Sequence, residues 1–149
     1  MIHFIIACGG EKADRPAPAR ELYRGQAFRH ALRAAELEAE ATRRELGVEA
    51  DVLILSALYG LVSPSDVLRP YDVRMGSESS IPTAALAATA ILQGVQEDDE
   101  IYAMLPKAYR AQLAEAMELV GTRAVQDVYE AAPGVGWQRG VCSSLIRNA

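Results

Sequence analysis

Ile2-His3-Phe4-Ile5-Ile6-Ala7-Cys8-Gly9-Gly10-Glu11-Lys12 is the stretch that decides the fold. A nearly unbroken apolar run that stops at paired glycines suits a strand buried on both faces and followed by a tight exit turn. The pattern returns at Val52-Leu-Ile-Leu-Ser56 and at Glu100-Ile-Tyr-Ala-Met-Leu105, and Ala124 to Tyr129 suits a fourth strand. Helical periods lie between and after these runs. Gln26 to Leu46 places Phe28, Leu32, Ala35, Leu37 and Leu46 toward one side, with Gly47 as its C-cap. Pro82 to Gln96, Pro106 to Leu119 (ended by Gly121) and Gly136 to Arg147 complete the series. Strand and helix alternating in this way predict an α/β fold. The expected architecture is a single-domain, three-layer Rossmann-like sandwich over residues 1–149. Its sheet is expected to be mostly parallel, of about four strands, with helices on both faces.

Two segments stand outside the alternation. Arg15-Pro-Ala-Pro-Ala-Arg20 reads as a stiff loop, because its two prolines disfavour a regular ladder. Ala57 to Ile81, carrying Gly60, Pro64, Pro70 and Gly76, reads as a long irregular loop. A loop of roughly 20 residues in a compact domain is usually functional or a sign that an element has been missed. In a doubly wound sheet, ligands bind at the carboxyl ends of the strands. Those ends are Cys8 to Lys12, Ser56 to Gly60 and Pro106-Lys107, so the least regular stretches converge on one edge.

Composition narrows the function classes. The 149 residues are 50% hydrophobic and 23% charged, and 15 Lys+Arg against 20 Asp+Glu leave a net charge of −5. That balance argues against a general nucleic-acid coat while allowing a local basic face. Two cysteines, Cys8 and Cys142, make neither a disulfide framework nor a zinc module, and His3 and His30 lie too far apart for metal-ligand spacing. No metal and no cofactor is expected, although a substrate-borne Mg²⁺ held by Asp66 or Asp72 is compatible with the loop. The opening run is too short for a signal segment and no run is long enough to span a bilayer, which points to a soluble cytoplasmic protein without a membrane partner.

Three groups of residues bear chemistry. Cys8-Gly9-Gly10-Glu11-Lys12 offers backbone N–H groups for an anion and a lysine to neutralise it, although the plain reading is an exit turn with a solvated lysine. Tyr23, Arg24 and the arginines Arg20, Arg29 and Arg33 form a basic segment suited to phosphate contact beside a stacking aromatic. Its bland alternative is a solvated helix face with Tyr23 and Phe28 in the core. The long loop holds Ser56, Tyr59, Gly60, Asp66, Tyr71 and Asp72. A carboxylate beside aromatic rings can act as general base or stabilise positive charge developing on a sugar, and Asp72 is the first choice for that role. Lys107, in a helix's first turn against the dipole, is a further candidate for a ligand anion. Trp137 reads as a core residue docking the last helix.

The stretch Ile54-Leu-Ser-Ala-Leu-Tyr-Gly-Leu-Val-Ser-Pro-Ser-Asp-Val-Leu-Arg-Pro-Tyr-Asp-Val-Arg-Met-Gly76 resembles the Leu-Ser-Gly-Leu-Tyr-Gly…Arg-Pro…Pro-Tyr…Met-Gly signature of the YaaA peroxide-stress family. The opening, Ala7 to Lys12 with Leu22-Tyr23-Arg24-Gly25 and Phe28, is similar to small bacterial and phage domains. Those pair a Cys-Gly-x-x-Lys start with a Ser-Ala-x-Tyr-Gly-Leu loop. A looser similarity runs to a segment of archaeosine synthases, which modify a deazaguanine base. These likenesses imply an α/β protein that binds DNA, with a pocket at Ser56, Tyr59, Gly60, Pro70, Tyr71 and Asp72. The helix-hairpin-helix element of YaaA proteins has no counterpart in this sequence. Three functions are therefore expected in descending order. The first is an enzyme acting on nucleobases, nucleosides or DNA, at the N-glycosidic bond or in modified-base processing. The second is a non-catalytic YaaA-like DNA-binding protein linked to damage or stress, and the third a nucleotide-binding sensor.

Overall fold

The computed structural model describes residues 1–128. Strand β1 (Ile2–Ala7) sits at the centre of a five-stranded sheet, between β3 (Ala50–Ser56) and β6 (Glu100–Met104). The order is β4-β3-β1-β6-β7, where β4 is Gly60–Val62 and β7 is Gln126–Asp127. All neighbouring pairs are parallel except β3 with β4, a tight antiparallel return in the register Ile54↔Val62 and Ser56↔Gly60.

Period-2 geometry divides the central strands between two cores. Ile2, Phe4 and Ile6 of β1, with Ala50, Val52 and Ile54 of β3, face helix α2 (Gln26–Leu46), which lays Phe28, Leu32, Ala35 and Ala39 on them. Ile5, Leu53, Leu55, Ile101 and Ala103 face the other way, onto α3 (Thr83–Leu92) and α4 (Lys107–Val120). These strands are largely hydrophobic because most of their residues see no water on either face. The fold is thus a mostly parallel α/β sandwich of three layers, as the alternation predicts. Helix α2 has the expected bounds, and Gly47 closes it at φ 65°, its N–H reaching the Arg43 carbonyl at 3.1 Å.

Differences fall in the two loops. Ala57 to Ile81 is not wholly irregular: it contains β4 and β5 (Val67–Leu68). The proline-bearing loop does make a ladder, since β2 (Ala17–Pro18) pairs with β5 in the register Ala17↔Leu68 and Pro18↔Val67. A proline is tolerated there because a two-residue edge ladder needs few donors. The short helix α1 (Ala19–Leu22) follows at once, and its first N–H groups bond across the ladder, Ala19 to the Asp66 carbonyl at 2.8 Å and Arg20 to that of Pro64 at 2.9 Å. Helix α3 stops at Leu92, short of the expected Gln96. The fourth parallel strand shrinks to Gln126–Asp127, and Asp127 pairs with Arg110 of α4. The expected helix from Gly136 to Arg147 and the docking of Trp137 lie outside the described residues. Among the described residues no helix is long and apolar enough to cross a membrane.

Candidate functional site

In this strand order the chain leaves β1 toward β3 on one side and leaves β6 toward β7 on the other. The crevice between the carboxyl ends of β1 and β6 is thus the topological switch point, where doubly wound sheets bind ligands. Cys8, just past β1, and Tyr109, in the first turn of α4, meet across it, with Sγ and Oη 3.5 Å apart. The loops after β1 and β3 close over the neighbouring edge because β2 and β5 zip them together. A bridge between Lys12 and Tyr23 ties the first loop to itself.

That zipper brings five predicted residues into contact. Ser56, the last residue of β3, accepts the N–H of Tyr59 at 3.0 Å and of Leu58 at 3.3 Å through its Oγ. The same oxygen lies 2.6 Å from Tyr71 Oη, which lies 2.6 Å from Tyr23 Oη. The Lys12 ammonium sits 4.3 Å above the Tyr71 ring, at cation–π distance, and donates to the Gly10 carbonyl at 3.2 Å. Tyr59 packs edge-on against Tyr71, centroids 5.5 Å apart, and Phe28 supports Tyr23 at 5.2 Å. Burial pushes the Tyr23 hydroxyl up to about 12, reinforced by Cys8 nearby. Burial likewise holds Tyr71 and Tyr109 above the ordinary tyrosine range. All three phenols are therefore neutral at physiological pH and available as donors.

The glycines take different parts. Gly60 is required by the backbone: its φ is +79°, and a Cβ there would lie 2.5 Å from Thr89 Oγ1 and 2.9 Å from Ile81 Cδ1. It shapes the β3–β4 return, packed against Thr89 and Ile81. Around Gly10 nothing lies within 4 Å of an added Cβ, and Gly9 meets only Phe28 Cβ at 3.6 Å. Their N–H groups donate to no partner among the described residues. They lie just past the carboxyl end of β1, where uncommitted backbone N–H groups can serve an anion.

Other predicted residues are placed differently. Asp72, next to Tyr71 in the chain, is exposed and makes no hydrogen bond or ion pair among the described residues. Asp66 is occupied within the fold, accepting the Ser63 N–H at 2.8 Å and the Gln93 amide at 3.1 Å. Both bonds go to Oδ2, so Asp66 serves a turn as well as the loop. Arg20 pairs with Glu36 at 3.3 Å and leaves the expected basic group. Arg24, Arg29 and Arg33 are exposed and form no ion pair among the described residues. Lys107 is exposed at the start of α4. A separate cavity of about 350 Å³ opens between α2 and the Ser63–Ser65 turn. Of its cations, Arg20 is paired with Glu36 and Arg43 donates to the Ala50 carbonyl (2.7 Å).

One polar cluster has no signature in the sequence. His3 of β1 is fully buried at the opposite, amino edge of the sheet. Its Nδ1 lies 2.6 Å from Asp51 Oδ1 and its Nε2 2.8 Å from Asp99 Oδ2. With a carboxylate on each nitrogen the ring is an imidazolium donating twice. Burial works against that charge, yet the hydrogen bonds and charges of the two carboxylates outweigh it and raise His3 above its ordinary 6.5. Asp99 is lowered: burial opposes its charge, but His3 and the Gln96 N–H favour it. Among the described residues no group of three or more His, Cys, Asp or Glu is placed to hold a metal. The only signal that could have located the cluster is the strand register, which sets His3 opposite Asp51.

Comparison with known proteins adds a family and nothing more specific. No curated protein and no solved structure matches the chain. A family model does match, from residue 4 to residue 138, and it covers every residue of the strand-end crevice. The chain belongs to the family of unknown function DUF6884.

Proposed function

We propose that this chain is an enzyme acting on a nucleobase, nucleoside or nucleotide, most concretely at the N-glycosidic bond of a base carried in DNA. The observation that carries the reading is the Ser56–Tyr71–Tyr23 hydroxyl chain beneath the Lys12 ammonium, at the edge where this fold binds ligands. Tyr59 and Tyr71, both half-buried, present rings against which a base can stack. Tyr23 is fully buried and supports them from below. The Gly9 and Gly10 N–H groups, with Lys107 across the crevice, supply donors for a phosphate. Asp72 is water-accessible and has no partner among the described residues, which suits a carboxylate that stabilises an oxocarbenium-like sugar as the bond breaks. Glycosidic cleavage asks for placed charge more than for a protein nucleophile. That fits a site whose serine hydroxyl is already occupied.

The test is base release. Protein is incubated with single- and double-stranded DNA, RNA and mononucleotides, modified bases included, and free base is read by mass spectrometry. Release that falls at least 100-fold in Asp72→Asn supports the reading. Release unchanged in both Asp72→Asn and Tyr71→Phe removes it.

A second reading, non-catalytic DNA binding as in the YaaA family, is favoured by Arg24, Arg29 and Arg33, three guanidiniums near the start of α2 that form no ion pair among the described residues. On that reading affinity falls with salt by roughly one phosphate contact per unit of log–log slope. Reversing the charges of Arg20, Arg24, Arg29 and Arg33 together should then abolish binding. Undiminished affinity in that variant removes the reading.

A further inference from the structure

Counting protons gives the hydroxyl chain a direction. A hydroxyl has one proton to donate and two lone pairs to accept with. Both lone pairs of Ser56 Oγ are taken by the Tyr59 and Leu58 N–H groups. Its proton therefore goes to Tyr71 Oη. One proton also crosses the contact between Tyr71 Oη and Tyr23 Oη. Three hydroxyl protons serve two contacts, and one phenolic proton is left without an acceptor among the described residues. Burial decides which one. Tyr23 and Ser56 are 0% exposed, whereas Tyr71 is partly exposed. A buried O–H without an acceptor is costly, so Tyr23 donates to Tyr71 and the surplus proton belongs to Tyr71. Accepting from two hydroxyls also polarises Tyr71 and strengthens it as a donor.

The surroundings share that bias. Lys12 has only protons to give, and it lies 4.3 Å above the Tyr71 ring. The nearby Gly9 and Gly10 N–H groups are uncommitted donors among the described residues. We infer that Tyr71 is a committed hydrogen-bond donor to a carbonyl oxygen of the substrate base, so that the site takes a 6-oxopurine in preference to a 6-aminopurine. The oxo base offers an acceptor where the amino base offers N–H protons that face a donor. This assignment rests on the nucleobase reading above. Within that reaction, the C1′–N electron pair passes to the departing base and its carbonyl oxygen, where the Tyr71 O–H holds the developing charge. Water supplies hydroxide to C1′ and its remaining proton to the base, and Tyr71 ends the cycle as it began.

Two measurements test the proposal. The first needs no ligand. In mixed light and heavy water, a tyrosine hydroxyl that exchanges slowly splits its ¹³Cζ resonance, and a fast one gives a single averaged line. The wild-type protein should show a split line for Tyr23 and one line for Tyr71, assigned with Tyr23→Phe and Tyr71→Phe. A split line for Tyr71, or an averaged one for Tyr23, overturns the proton order. The second compares inosine monophosphate with adenosine monophosphate by calorimetric titration. The oxo nucleotide should bind roughly tenfold more tightly, and Tyr71→Phe should bring the two within about twofold. Equal or tighter binding of the amino nucleotide overturns the carbonyl preference. If neither binds, the substrate assignment falls together with the nucleotide reading, and the exchange result still decides the direction of the chain.

Discussion

The two polar clusters of this protein lie at opposite ends of the same central strand and are built to opposite accounts. At the amino edge His3 spends both ring N–H groups on Asp51 and Asp99, and Asp99 takes the Gln96 N–H at 2.9 Å and the Met1 nitrogen at 3.4 Å. Every donor finds an acceptor, and the imidazolium is sealed from water. At the carboxyl edge Ser56, Tyr71 and Tyr23 leave one donor over, Lys12 rests on an aromatic face and Asp72 has no partner among the described residues. A closed set of hydrogen bonds holds strands together, whereas an open set at a strand end is ready for a ligand. The 350 Å³ cavity is different again: Arg20 there is paired with Glu36, and Arg43 donates to the Ala50 carbonyl.

Breaking the closed set should have the largest effect on stability. His3→Gln leaves two carboxylates facing each other across a neutral amide, and loss of a buried ionic partner costs about 3–5 kcal/mol. Urea unfolding near pH 6 reads it. The pH dependence has a definite sign. Because His3 is raised above 6.5, its contribution is complete below 6.5 and is lost as pH rises through the higher folded value. Asp99 is lowered below 3.8, so its contribution is complete above 3.8 and is lost as pH falls through the lower folded value. Wild-type stability should be greatest between those limits and decline on both sides, and the alkaline decline should flatten in His3→Gln. An unchanged alkaline limb would show that the ring is neutral and that the cluster is not the closed ionic set described.

Next in size is Gly60→Ala, which adds a left-handed backbone penalty to a Cβ that collides with Thr89 and Ile81. About 2–4 kcal/mol should be lost. The change also attacks the open cluster at one remove, because Gly60 sets the return that follows Tyr59. If the clusters are as separate as their positions suggest, Gly60→Ala should abolish ligand-induced thermal stabilisation while leaving the alkaline limb due to His3 in place.

How much of this was legible varies along the chain for a physical reason. The runs at Ile2–Ala7, Val52–Ser56 and Glu100–Met104, and the period of Gln26–Leu46, announce themselves because strands buried on two faces and a helix buried on one leave strong local patterns. β2, β4 and β5 do not, because two or three residues are too few for any period. Ser56, Tyr59 and Tyr71 could be singled out as one loop. Their partners Lys12 and Tyr23 come from another loop, and only the Pro18↔Val67 ladder shows that the two meet. His3, Asp51 and Asp99 are three unremarkable letters, 48 residues apart on each side, until the register aligns them. The arginines near the start of α2 were legible as a basic segment despite the acidic total, but that Arg24, Arg29 and Arg33 form no ion pair among the described residues is visible only in the structure. Asp66 and Arg20 also have partners that the sequence does not announce, a turn N–H and the Glu36 carboxylate.

Ser56→Ala should cost less than either change above, about 1–3 kcal/mol, because the Tyr59 and Leu58 N–H groups lose their acceptor. It also tests whether the open set is one unit. Without the serine proton, one lone pair of Tyr71 Oη is freed, and Tyr71 can accept a proton from a ligand. Any preference between an acceptor-bearing and a donor-bearing nucleotide should therefore narrow in Ser56→Ala, even though serine itself need not touch the ligand. A preference that survives intact would mean that Tyr71 is oriented by something other than the proton order of the chain.

The smallest effect on the fold, and the sharpest on the comparison, belongs to Lys12→Met. The ammonium over Tyr71 is partly exposed, and its one hydrogen bond is to a neighbouring carbonyl. Exchange for an apolar side chain of similar length should change stability by about 0.5–1 kcal/mol at most. A structural cation and a ligand-binding one differ in where the loss appears. If Lys12 only caps the Tyr71 ring, mononucleotide affinity should move no further than stability does. If the carboxyl edge is the open set argued above, affinity should drop roughly tenfold or more with melting temperature nearly unchanged, because a charge-assisted bond to a phosphate or carbonyl oxygen is made only in the complex. Added salt should weaken wild-type binding more steeply than binding by the variant, which keeps Lys107 but has lost one of the charges being screened.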